Sequence, residues 1–115
     1  MPKELRKLVF TVEEIKAAAY DYCLRNGVPI PHVPIDDVII KDSDHSFLTL
    51  CFSSSDASDP KRIALGRDKA GAAVIKYCSS NKIPIPRSAQ KVLKVDNGEV
   101  VMMISLNWKS AMPSE

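Results

Sequence analysis

A ten-residue phrase occurs twice in this chain, and any fold must accommodate both copies. The first runs Tyr22-Cys23-Leu24-Arg25-Asn26-Gly27-Val28-Pro29-Ile30-Pro31. The second runs Tyr77-Cys78-Ser79-Ser80-Asn81-Lys82-Ile83-Pro84-Ile85-Pro86. Tyr, Cys, Asn and both prolines recur at a constant offset of 55 residues. The likeness extends upstream. Arg6-Lys7-Leu8-Val9-Phe10 is answered by Lys61-Arg62-Ile63-Ala64-Leu65, and the apolar stripe Ile15, Ala18, Ala19, Tyr22, Cys23 by Ala70, Ala73, Val74, Tyr77, Cys78. Spacings of three and four put each stripe on one face of a helix.

The signals around each stripe agree with that reading. Thr11 and Glu14 have the form of a capping box, in which hydroxyl and carboxylate each satisfy a free amide. Gly27 stands where a left-handed C-terminal cap belongs. The prolines then bar further helix and favour extended backbone. Strand candidates follow at 36–41 and 47–52, and again at 91–95 and 99–106, the last two joined by the hairpin signal Asn97-Gly98. Gly71 weakens the second helix relative to Ala, and is expected there to permit a close helix contact.

The order is strand–helix–strand–strand, twice. This predicts an α+β fold with approximate two-fold symmetry. The expected form is a single mostly antiparallel sheet of about six strands with both helices on one face. Residues 1–115 form one domain, with repeats at about 5–53 and 60–108 joined by a Ser/Asp-rich linker. A unit of 55 residues is close to the lower limit for an independent core, so the halves are expected to fold together.

Composition limits the function. The net charge of +2 is too small to argue for nucleic acid or membrane. The charge is uneven, however, being −2 over residues 1–55 (6 basic, 8 acidic) and +4 over 56–115 (10 basic, 6 acidic). Three cysteines without a Cys-x-x-Cys do not make a disulfide framework or a zinc knuckle, and reduced thiols in a cytoplasmic protein are expected. There is no signal-peptide core and no apolar run of membrane-spanning length.

Candidate chemistry is sparse. Asp42, Asp44 and His45 have a ligand-like spacing but read as a solvated turn. Cys23 and Cys78 read as duplicated core positions. The paired carboxylates Glu13-Glu14 and Asp36-Asp37 have no acid–base partner in view. No phosphate-binding loop is present. No catalytic residue, metal or cofactor is expected.

Two features point outward. Lys82, Arg87, Lys91 and Lys94 form a candidate basic strip for a partner or for nucleic acid phosphates. Strands 47–52 and 100–104 are apolar on both faces, which makes Phe47, Phe52, Met102, Met103 and Trp108 candidate interface residues. The function expected is a non-enzymatic binding or regulatory module acting through protein–protein contact and self-associating as a homodimer. The alternative is a small nucleic-acid-binding protein using the basic strip. Where the copies differ, as at His32 against Arg87 and Gly27 against Lys82, function is expected to lie.

Overall fold

In the computed structural model, residues 3–31, 33–52 and 61–107 are described. The order is β1 (Lys3–Phe10), α1 (Val12–Arg25), β2 (Ile35–Ile40), β3 (Leu48–Phe52), β4 (Lys61–Leu65), α2 (Arg67–Ser80), β5 (Gln90–Asp96) and β6 (Glu99–Asn107). This is the α+β, twice-repeated strand–helix–strand–strand order read from the sequence. All strand pairs are antiparallel. The linker expected at 53–60 lies outside the described residues.

The strands are divided between two three-stranded sheets rather than joined in one of six. One has the order β1-β6-β5 and is called here the terminal sheet; the other, β2-β3-β4, is the middle sheet. Each sheet takes a hairpin from one repeat and the first strand of the other. Sequence periodicity gives each strand its faces, but it does not say which repeat a first strand pairs with.

The inner faces of both sheets and the facing sides of both helices form one core. The terminal sheet contributes Phe10, Leu93, Val100, Met102, Ile104 and Leu106, and the middle sheet Val38, Leu48, Leu50, Phe52 and Leu65. Ile15, Ala19 and Cys23 of α1 join Ala70, Val74 and Cys78 of α2 in the same cluster. Every one of these helix residues belongs to the stripes read from the sequence. Burial of the thiols pushes the pKa of Cys23 and Cys78 upward, and the charge of Glu14 adds to the rise at Cys78. Glu14 is in the first turn of α1 and Cys78 near the end of α2, so the start of one helix lies beside the end of the other.

The repeated phrase is a helix ending. Asn26 and Asn81 each close a helix, their Nδ2 groups donating to the carbonyls of Tyr22 (2.9 Å) and Tyr77 (2.8 Å). The Val28 amide donates to the Cys23 carbonyl at 3.0 Å, and the Ile83 amide to the Cys78 carbonyl at 2.8 Å. Both are the longer bond of a Schellman-type ending. Val28, Ile30, Ile83 and Ile85 then pack against the core, so the prolines fix extended segments whose alternate residues turn inward.

The symmetry breaks after the second strand of each repeat. Phe10 is opposite Val100 and Leu65 opposite Leu48, so the two hairpin return strands correspond at an offset of 52 (100 − 48) rather than 55. The first hairpin is therefore three residues longer than the second. The second closes tightly through Asn97 and Gly98, both at positive φ (53° and 77°), as a type I′ turn requires.

The longer loop takes over a job at the start of α2. Thr11 and Glu14 form the capping box of α1. Their counterparts are Gly66 and Lys69, and α2 has no side-chain cap. Instead the Arg67 amide donates to the Asp44 carbonyl at 2.9 Å. A Cβ on Gly66 would stand 2.9 Å from that oxygen, which is why glycine occupies the position. The Arg67 guanidinium binds the carboxylates of Asp42 and Asp44, donates to the Leu93 carbonyl and lies over the Phe47 ring at 4.9 Å. These carboxylate bonds hold Arg67 above its ordinary pKa. It stays charged at any ordinary pH.

Two outcomes follow. Peptides covering 1–55 and 56–115 are each expected to lack stable secondary structure alone, because each leaves a hairpin without its third strand. Mixed in equal amounts they should regain the far-ultraviolet circular dichroism of the whole chain; native signal from either alone would refute the exchange. In urea denaturation, Arg67→Ala should cost about 1–2 kcal/mol through the lost carbonyl bond and ring contact. The double change Asp42→Asn and Asp44→Asn should cost less than about 1 kcal/mol, because both carboxylates are well exposed.

Candidate functional site

The terminal sheet leaves its outer face uncovered by any described element. Along β1 the outward residues are Lys3, Leu5, Lys7 and Val9, opposite Ser105, Met103 and Val101 on β6 and then Gln90, Val92 and Lys94 on β5. Leu5, Val9 and Val92 are 64%, 49% and 46% exposed, and Met103 is half-buried. Val101 is 2% exposed although it points outward. On the same face Lys7 forms a 2.8 Å ion pair with Asp96, beyond the row that holds Val101. The outer face of the middle sheet is less apolar, with Thr49, Cys51, Ala64 and Ile39.

Most of the interface residues expected from sequence lie elsewhere. Phe47, Phe52 and Met102 are buried in the chain's own core. A strand apolar on both faces predicts an outside cover, but these three residues belong to the inward set. Met103 does lie on the outer face, and Trp108 is outside the described residues. Leu5 and Val92 stand beside charged residues and Val9 within the apolar run Leu8-Val9-Phe10, so sequence does not single them out; only the register of β1 and β5 against β6 groups them.

The basic strip divides. Lys91 and Lys94 are an odd number of residues apart on β5, so they point to opposite sides of the sheet. Lys82 and Arg87 are both exposed and line one groove of about 450 Å3 with Ile75, Ile83 and Pro84. Lys91 lines the adjoining groove of about 460 Å3 between α2 and β5, together with Gly71, Ala72, Ile75 and Val92. No carboxylate among the described residues pairs with Lys82, Arg87 or Lys91.

A related groove of about 790 Å3 flanks α1, lined by Glu13, Lys16, Ala17 and Tyr20 with Val33 to Ile35. Glu13, Lys16, Ala17 and Tyr20 are the counterparts, 55 residues earlier, of Asp68, Gly71, Ala72 and Ile75. In the first groove the Lys16 ammonium reaches across to the Asp36 carbonyl of β2 at 3.4 Å. Gly71 leaves the same place open.

The groups with nucleophilic or metal-binding chemistry are dispersed. Cys23 and Cys78 are fully buried thiols, Cys51 lies on the outer face of the middle sheet, and His45 is exposed. Asp42 and Asp44 are engaged by Arg67. No group of three or more potential metal ligands occurs among the described residues. His32 lies outside them. No described helix is long and apolar enough to cross a membrane. No protein family, curated protein or solved structure was found to match this chain.

Two positions along α2 are poor choices for the fold alone. Gly71 is helical, and an added Cβ would meet nothing within 4 Å. The close contact expected from sequence is absent. Lys82 sits at φ 59°, where its counterpart Gly27 sits at φ 67°. Left-handed backbone costs a non-glycine residue roughly 1 kcal/mol. Thermal or urea unfolding should therefore show Gly71→Ala and Lys82→Gly each stabilising the protein by about 0.5–1 kcal/mol. A loss of stability at either position would mean that the native residue serves the fold.

Proposed function

We propose that this chain is a non-enzymatic binding module that acts through protein–protein contact, and that the outer face of the terminal sheet joins it to a second copy of itself. The observation that carries this is the grouping of exposed Leu5, Val9 and Val92 around Met103 on a face that no described element covers. Exposed apolar patches of a few hundred Å2 mark interaction surfaces.

The occupant is argued from charge. Lys3 stands at one end of this face, opposite Asn107, and Glu99 at the other, beside the hairpin turn, where Asp96 is paired with Lys7 of its own chain. A two-fold axis lying between two such faces, perpendicular to their strands, brings the basic end of one copy onto the acidic end of the other. It also sets the apolar middle against itself. An isologous contact of this kind closes as a dimer. Three strands spanning β6 present roughly 400 Å2. The pair would bury roughly 800 Å2, below the about 1,200–2,000 Å2 of stable complexes, so the association is weak and reversible.

Sedimentation velocity from low micromolar to millimolar protein should show a concentration-dependent monomer–dimer shift. The double variant Leu5→Glu and Val92→Glu should remain monomeric throughout with unchanged circular dichroism, since both sites are exposed. A monomer at every concentration, or a dimer indifferent to these changes, would overturn the reading.

A further inference from the structure

We propose that the groove running along α2 against β5 binds an extended acidic peptide, independently of self-association through the terminal sheet. The floor is apolar and shallow, formed by Gly71, Ala72 and Ile75 with Val92 on the strand side. Ile75 also lines the neighbouring groove, so the two adjoin at this residue. At one end stand Lys82 and Arg87, with Lys91 at the middle. None of the three is neutralised by a carboxylate of the described residues. A ligand with apolar side chains over the floor and carboxylates at these cations matches the groove in both respects.

The strand side favours an extended main chain. β5 is an edge strand. In the two-residue hairpin Asp96 and Glu99 form a hydrogen-bonded pair, so Lys91, Leu93 and Val95 turn their backbone groups away from β6. The guanidinium of Arg67 takes the Leu93 carbonyl. It thereby closes the far end of the edge and leaves the Lys91 backbone open to pairing. In the other repeat Lys16 guards the equivalent stretch of β2 through the Asp36 carbonyl. Where Lys16 crosses the first groove, Gly71 stands in the second. From Arg67 to Lys82 the helix side spans about 22 Å, which a peptide of about seven extended residues fills.

The two residues that serve the fold poorly both border this groove. A better helix former at residue 71 would project into it, and glycine at residue 82 would remove one of its charges. Departures from local preference are expected where a site needs them.

The test is fluorescence anisotropy with a labelled peptide of about seven residues alternating Glu and Val, at low salt. Binding should be saturable. It should fall about tenfold or more in Gly71→Gln, which blocks the floor without changing charge and favours the helix. It should fall similarly in Lys82→Glu with Arg87→Glu. The same peptide with Lys for Glu should not bind. Leu5→Glu with Val9→Glu, both on β1 and outside the groove, should affect self-association; a loss of peptide binding there would place the peptide on the outer face and refute this site. Absence of binding to the Glu/Val peptide, or equal binding by Gly71→Gln, would overturn the proposal. So would tighter binding of a single-stranded oligothymidylate that depends on Lys82 and Arg87 and displaces the peptide, since the surface would then be one for phosphates.

Discussion

The exchange of first strands between the two halves is the constraint on which the rest of the structure depends. β1 completes the hairpin of the second repeat and β4 that of the first. A lone hairpin is marginal in water, and a unit of about 50 residues has little core of its own. Neither repeat can therefore reach a stable sheet without the other. The antiparallel helix pair adds to this. Ala19 and Cys23 of one helix and Ala70, Val74 and Cys78 of the other belong to a single cluster, which small side chains allow to be close. The duplicated stripe is thus an interface between repeats as well as a face toward the sheets.

This explains why the phrase at residues 22–31 and 77–86 recurs so closely. Its residues perform one task twice. Tyr supplies the carbonyl that the Asn side chain caps, Cys fills the helix contact, and the prolines hold a segment whose isoleucines turn into the core. Periodicity and capping signals made the elements and their inward faces legible. The repeat made the symmetry legible. The division into two sheets was not, because a strand's alternation says which side is buried and nothing about its neighbour. The candidate surfaces were less legible for the same reason. Leu5, Val9 and Val92 come from the two edge strands, 87 residues apart at the extremes (92 − 5), and only their common pairing with β6 brings them together. Lys91 and Lys94 look contiguous in sequence yet fall on opposite sides of β5 by alternation alone.

The asymmetry between the repeats has a physical order. Three extra residues in the first hairpin allow Asp42 and Asp44 to reach the start of α2. The helix start is then satisfied by a carbonyl from outside, so the capping box present at Thr11 and Glu14 is not needed, and Gly66 is required for clearance. Arg67 converts this docking into a tie between the loop, the Phe47 ring and β5. Most of the energy should lie in the shielded contacts of Arg67 and not in its exposed carboxylate partners. One loop insertion thus accounts for three sequence differences at the start of the second helix.

The remaining differences along α2 have no such structural account. Gly71 is not held by a close neighbour, and Lys82 adopts backbone that glycine adopts at the equivalent place. A change that benefits the fold is available at each position, and in the first repeat Lys16 and Gly27 illustrate both. When two residues depart from local preference in the same repeat, along the same groove, one cause is more economical than two. Gly71 opens the floor that Lys16 covers, and Lys82 adds the cation that Gly27 lacks. Together they turn a groove that a lysine side chain crosses in the first repeat into one with an open strand edge and a positive end. Selection for binding at that groove accounts for both residues at once, whereas selection for stability would favour replacing each.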